Sequence, residues 1–146
     1  MTGFAMKTRR QRGISLIEVL ITVLVLSIGL LGLAGLQLMS LRNSQSAMER
    51  SVSLVQSYSI IEAIRADADS AKNGRFNIDL DERATGNTFP AQALGLWRDQ
   101  LKSNLGASAT GSVNCTSTIC TVTVQWDDSR GTDGSNEQKM ITEVRL

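Results

Sequence analysis

The polarity pattern changes its period along the chain. From Ile14 to Leu36 the residues are apolar almost without a break, and the run holds a single charge, Glu18. A helix of that length, at about 1.5 Å per residue, spans roughly 34 Å, enough for a hydrocarbon core. Beyond it, Leu41, Met48, Val52, Val55, Tyr58, Ile61 and Ile64 recur at intervals of three, four or seven, with polar residues between. That spacing predicts one apolar helix face. Asn73-Gly74 is a stop signal. Together the two stretches predict one helix from Ile14 to Lys72, roughly 88 Å long. It would be half membrane-embedded and half amphipathic, with a domain packed on the amphipathic half.

Residues 74–90 are polar and turn-rich and read as a connecting loop. A second helix is predicted from Pro90 to Leu105, because Pro suits a first turn. Leu94, Trp97, Leu101 and Leu105 make its apolar stripe, and Gly106 ends it. From Gly111 the period falls to two. Thr121–Trp126 places Val122, Val124 and Trp126 on one face. Lys139–Leu146 places Met140, Thr142, Val144 and Leu146 on one face, after a polar loop over 127–138. The two segments are expected to pair antiparallel, with 111–115 as a third strand. The predicted class is α+β, a long N-terminal helix packed on a small antiparallel β-sheet.

Charge gives this pattern a direction. The net charge is +1, yet Lys7, Arg9, Arg10 and Arg12 all precede Gly13, with no acid among those first residues. The rest of the chain is therefore slightly acidic and shows no basic face for a nucleic acid. Basic residues before the apolar run put the N-terminus in the cytoplasm and everything after about Arg42 on the far side. An ordinary secretory signal has a shorter apolar region and a small-residue cleavage site after it, which this run lacks. A plain signal anchor explains the length and the basic flank but not Glu18. An acidic side chain at mid-bilayer costs on the order of 3 kcal/mol, and intramembrane charges tend to mark function.

Composition narrows the chemistry. The chain contains no histidine, which removes His-based triads, general bases and metal sites. No nucleophile is set beside a base, so a single-pass membrane enzyme or sensor is a distant alternative. No catalytic residue, cofactor or metal is expected. Asp79, Asp81 and Glu82 could hold a cation, but a solvated loop is favoured. The cluster Asp127, Asp128, Asp133 and Gly134 hints at calcium without the EF-hand spacing, and a solvated hairpin loop is favoured there too. Cys115 and Cys120 close the small loop C-T-S-T-I-C. If this part of the chain is periplasmic, oxidation is permitted and a Cys115–Cys120 disulfide is favoured; the spacing is not C-x-x-C, and two sulfurs without His make a poor zinc site.

The N-terminal run resembles that of type IV pilins and pseudopilins, which carry class III signal peptides. A short basic leader ends in Gly13, Ile14 opens the mature chain, Glu18 is its fifth residue, and an unbroken apolar helix follows. I-S-L-I-E-V-L-I reads like the usual F-T-L-I-E motif, with Ile14 for Phe and Ser15 for Thr. The longer run through Gln37, and T-V-T-V-Q-W-D-D near the C-terminus, resemble the PilV group of minor pilins. The resemblance implies that a prepilin peptidase cuts between Gly13 and Ile14 and methylates the new amine of Ile14. Gly13 suits a protease that must approach the backbone closely. The implied parts are a removed leader (1–13), a transmembrane assembly helix (14–36), its amphipathic continuation (37–73) and a periplasmic α+β domain (74–146).

Glu18 then has two roles open to it. A carboxylate in the first turn is favoured by the helix macrodipole. It could also meet the Ile14 amine of a neighbouring subunit, because a buried carboxylate strongly prefers a charged, hydrogen-bonded partner. Gly29, Gly32 and Gly35 would let helices approach closely, or ease local unwinding. The resemblance implies a minor pilin of the bacterial inner membrane that enters the pilus, or fimbrium, and helps initiate it. Its implied partners are other minor pilins, the major pilin, the inner-membrane pilus assembly machinery and a tip adhesin. The alternative is a minor pseudopilin of a type II secretion system.

Overall fold

A computed structural model describes Gly13 and residues 15–146. Ile14 and the basic leader before Gly13 lie outside the described residues. Six elements follow in order: α1 (Leu16–Ala66), α2 (Ala68–Lys72), α3 (Phe89–Leu105), β1 (Thr110–Cys115), β2 (Ile119–Trp126) and β3 (Gln138–Arg145). The chain divides into two compact units, Met1–Leu38 and Met39–Leu146.

In the first unit the described residues from Leu16 onward are all helical and all exposed. Leu16 is 82% exposed and Leu31 74%. α1 is the one helix among the described residues long and apolar enough to cross a membrane. Its two hydroxyls in the apolar run are satisfied internally. Thr22 Oγ1 donates to the Val19 carbonyl at 2.8 Å and Ser27 Oγ to that of Val23 at 2.7 Å. A hydroxyl bonded to its own helix avoids the cost of an unpaired polar group in lipid.

The second unit has its own core. α1 contributes Ser53, Ser57, Ile60, Ile61 and Ile64, all buried. The expected stripe is therefore corrected: Leu41, Met48, Val55 and Tyr58 are exposed, and only its last members, Ile61 and Ile64, are fully buried. The buried face includes small serines, which let the helix sit close. Their hydroxyls bond to the helix itself, Ser53 Oγ to Arg50 O at 2.8 Å and Ser57 Oγ to Ser53 O at 2.9 Å. Serine can thus occupy a core face without an unmet hydrogen bond, which a polarity count cannot foresee.

α1 also stops earlier than predicted, at Ala66. Asp67 leaves helical geometry (φ −135°, ψ 61°) and caps α2, accepting from the Ser70 N–H at 3.3 Å. A side-chain acceptor for free N–H groups is what restarts a helix there. α3 begins at Phe89, capped by Thr88, and ends at Gly106, whose φ of +106° favours glycine.

β1, β2 and β3 form one antiparallel sheet in that order. Val113, Val122, Val124 and Trp126 face Leu94, Trp97 and Leu101 of α3 and the isoleucines of α1 in one apolar cluster. Trp97 packs on Gly111, where a Cβ would lie 2.3 Å from its ring, and donates from Nε1 to the Gln56 carbonyl at 2.9 Å. The segment expected as a polar connection is in part core. Phe76 and Ile78 are buried, and Ile78 bridges Val113 antiparallel. Their apolar side chains are too few and too scattered among turn residues to read as a strand.

Candidate functional site

The N-terminal motif enters the structure at Gly13, exposed and outside regular structure, and Ser15. α1 begins one residue later. The Ser15 carbonyl accepts from the N–H groups of Glu18 (3.0 Å) and Val19 (3.3 Å). Glu18 thus stands in the first turn of α1, where free N–H groups and the macrodipole favour a carboxylate. Ser15-Leu16-Ile17-Glu18 also has the S-x-x-E order of a capping box, a local reason for a carboxylate here beside any intermolecular one. Glu18 is exposed, as are its neighbours. Ideal Cβ atoms at Gly13, Gly29, Gly32 and Gly35 would meet nothing within 4 Å.

Cys115 and Cys120 face each other across the β1–β2 hairpin, with Cα atoms 4.0 Å apart and sulfurs at 1.98 Å. The adjacent pair, Thr116 and Ile119, is hydrogen-bonded at 2.8 Å. The cysteines therefore occupy a pair without ladder bonds, where facing side chains lie closest. Asn77 flanks them. Its amide accepts from the Cys115 N–H at 2.7 Å and donates to the Cys115 carbonyl at 3.3 Å. A side chain here does the work of a fourth strand's backbone.

Among the described residues no three acidic or cysteine side chains gather as a metal site. Asp79 and Glu82 contribute backbone carbonyls instead, to Arg98 of α3. Arg98 Nη1 donates to Glu82 O and Nη2 to Asp79 O, while Nε and Nη2 reach Gly111 O at 3.0 and 2.6 Å. Burial lowers the guanidinium's pKa from its ordinary value, and nearby Glu82 and Asp81 oppose that shift. One buried cation ties the 79–82 loop to helix and sheet. Sequence reading missed it, because a single arginine in an amphipathic helix looks like a solvated one.

The 127–137 loop is likewise not simply solvated. Asp128 is 2% exposed and accepts from Ser46 Oγ of α1 at 2.6 Å, with Arg50 4.0 Å away. Thr132 Oγ1 donates to Asn43 Oδ1 at 2.6 Å, and Arg130 reaches Glu49 at 3.4 Å. The loop joins β2 to β3 and is exposed over much of its length, as a solvated hairpin loop would be, but it also docks along α1 from Asn43 to Arg50. Helix positions three or four apart share a face, so they offer the loop a row of partners.

Residues 8–34 match the family model described as the prokaryotic N-terminal methylation motif. The match includes Gly13, Ile14 and Glu18 and extends to no part of Met39–Leu146. No curated protein and no solved structure matches the chain. The motif supports a type IV pilin-like or pseudopilin protein, implies processing by a prepilin peptidase, and points to a structural rather than an enzymatic role.

Proposed function

We propose that the chain is a minor pilin of the PilV kind that takes part in type IV pilus assembly and helps initiate the filament with other minor pilins. The methylation motif at residues 8–34, with Gly13, Ile14 and Glu18 in register, supports a pilin-like or pseudopilin protein, and the PilV reading adds the likeness of the run through Gln37 and of T-V-T-V-Q-W-D-D. In this reading the peptidase cuts between Gly13 and Ile14 at the cytoplasmic face and methylates the Ile14 amine. The apolar helix stays on the mature chain. Its exposed apolar surface is stable only against lipid or partner helices, since each buried apolar Å² contributes roughly 25 cal/mol.

Glu18 lies four residues after Ile14. Its carboxylate pairs with the Ile14 amine of an adjoining subunit and sets the register of entry, because a carboxylate moved from lipid headgroups into a helix bundle needs a cationic partner. Gly29, Gly32 and Gly35 are open to a neighbouring helix and allow its close approach. The second unit is periplasmic, where Cys115 and Cys120 form a disulfide.

Replacing Glu18 by Ala tests the pairing. The variant should be processed and retained in the inner membrane yet scarce in sheared pili, by immunoblot of both fractions. Incorporation at the wild-type level would rule the pairing out. Deleting the gene tests the system served: loss of surface pili and twitching motility supports the pilus, whereas loss of exoprotein secretion with pili intact would assign the chain to type II secretion.

A further inference from the structure

The two edges of the sheet are finished differently. Along the outer edge of β1, Gly111 O accepts from Arg98, Val113 exchanges two backbone bonds with Ile78 (2.9 and 3.0 Å), and Cys115 is bonded on both groups by Asn77. That edge is closed residue by residue. β3 forms the other edge. Leu146 N donates to Thr118 O at 2.9 Å, in phase with the pairs Val144–Cys120, Thr142–Val122 and Met140–Val124. Ladder bonds alternate along an antiparallel pair, so these even-numbered residues bond to β2. The N–H and C=O groups of Lys139, Ile141, Glu143 and Arg145 therefore point away from the sheet. Among the described residues no other backbone group pairs with them. Their side chains are also the exposed ones, and Ile141 is 62% exposed.

Such an edge is a template for another strand, and proteins commonly blunt it with lysines, proline or a bulge. β3 has no proline and pairs with β2 in unbroken register. Its charges alternate in sign around an apolar centre, and that order is self-complementary. In an antiparallel pair centred on Ile141, Ile141 faces Ile141 and Lys139 faces Glu143 twice over. Arg145 then faces Glu137, the exposed residue just before the strand. Sliding the register by two residues sets Lys139 against Arg145 in one direction and Glu143 against Glu137 in the other. Facing opposite charges favour a strand pair and facing like charges oppose it. One register is therefore selected.

We propose that β3 is a homotypic docking edge, joining two copies of this chain by antiparallel strand addition about a twofold axis at Ile141. The axis is normal to the sheet. The edge is independent of the Glu18 assembly pairing.

Sedimentation velocity of the full chain in detergent micelles, across a concentration series, provides the test. The wild type should form a dimer. Lys139→Glu and Glu143→Lys each create two like-charge contacts by symmetry and should weaken it roughly tenfold or more. The double variant K139E/E143K should restore it. Ile141→Cys should crosslink chain to chain on mild oxidation, since directly bonded partners lie about 5.5 Å apart. A monomer at all concentrations would overturn the proposal. So would a dimer indifferent to the single reversals, as one held by the apolar helix would be, or one the double variant does not rescue.

Discussion

At the residue scale, Arg98 is the side chain that ties the 79–82 loop to α3 and β1. It serves three carbonyls and is itself buried. Arg98→Met keeps the stem and removes every donor. Leaving buried acceptors unpaired costs about 1–3 kcal/mol each, so the urea midpoint should fall markedly, with the 79–82 loop opening first. An unchanged midpoint would show that water replaces the guanidinium at no cost. Asp127 makes the complementary prediction for pH. The Ser129 hydroxyl, and then its backbone N–H, hold the Asp127 carboxyl below its ordinary range. The folded pKa is depressed, so its contribution to loop order is complete above the ordinary carboxylate range. It is lost as pH falls through the folded value. Amide protection across 127–137 should drop on acidification through that window, and Asp127→Asn should flatten the change.

At the element scale, the hairpin of β1 and β2 combines a ladder, a cysteine pair and the Asn77 amide at one corner. Crosslinking so short a loop contributes about 2 kcal/mol, mainly by restricting the unfolded chain. The double variant C115S/C120S should lose that much in chemical denaturation and keep its sheet by circular dichroism, because the β1–β2 and β2–β3 registers do not depend on the bridge. Mass spectrometry of the mature protein should find the two cysteines linked. α1 teaches a different lesson at this scale. Its apolar period beyond the membrane run is plain in the sequence, yet the sheet takes the face with Ser53 and Ser57 and leaves Met48, Val55 and Tyr58 outside. α3, with Leu94, Trp97, Leu101 and Leu105 all buried, follows its pattern closely. The difference is that α3 has one apolar face to offer, whereas α1 has two candidate faces and tertiary packing chooses between them.

At the scale of the whole molecule, the prediction concerns processing. Gly13→Ala places a methyl group where the peptidase must approach the backbone. On a blot the precursor should accumulate at the expense of the mature form. The mature wild-type protein should carry one added methyl group on Ile14. Mature protein at the usual level in the glycine variant would argue against cleavage at that bond.

The sequence by itself determined what depends on local period and on covalent order. The membrane-length apolar run, the motif from Gly13 to Glu18, the three strands and α3 are all of that kind. Hydrophobic periodicity and a short motif are written in neighbouring residues, so no fold is needed to read them. Only the tertiary structure decided which face of α1 is buried, that Phe76 and Ile78 join the core, and that Asp128 and the 127–137 loop dock on α1. Arg98 and Asn77 belong to the same group. Each of these depends on partners tens of residues away, such as Arg98 with Asp79 or Asn77 with Cys115. A buried polar group is distinguishable from a solvated one only by the company it keeps, and that company is assembled by folding.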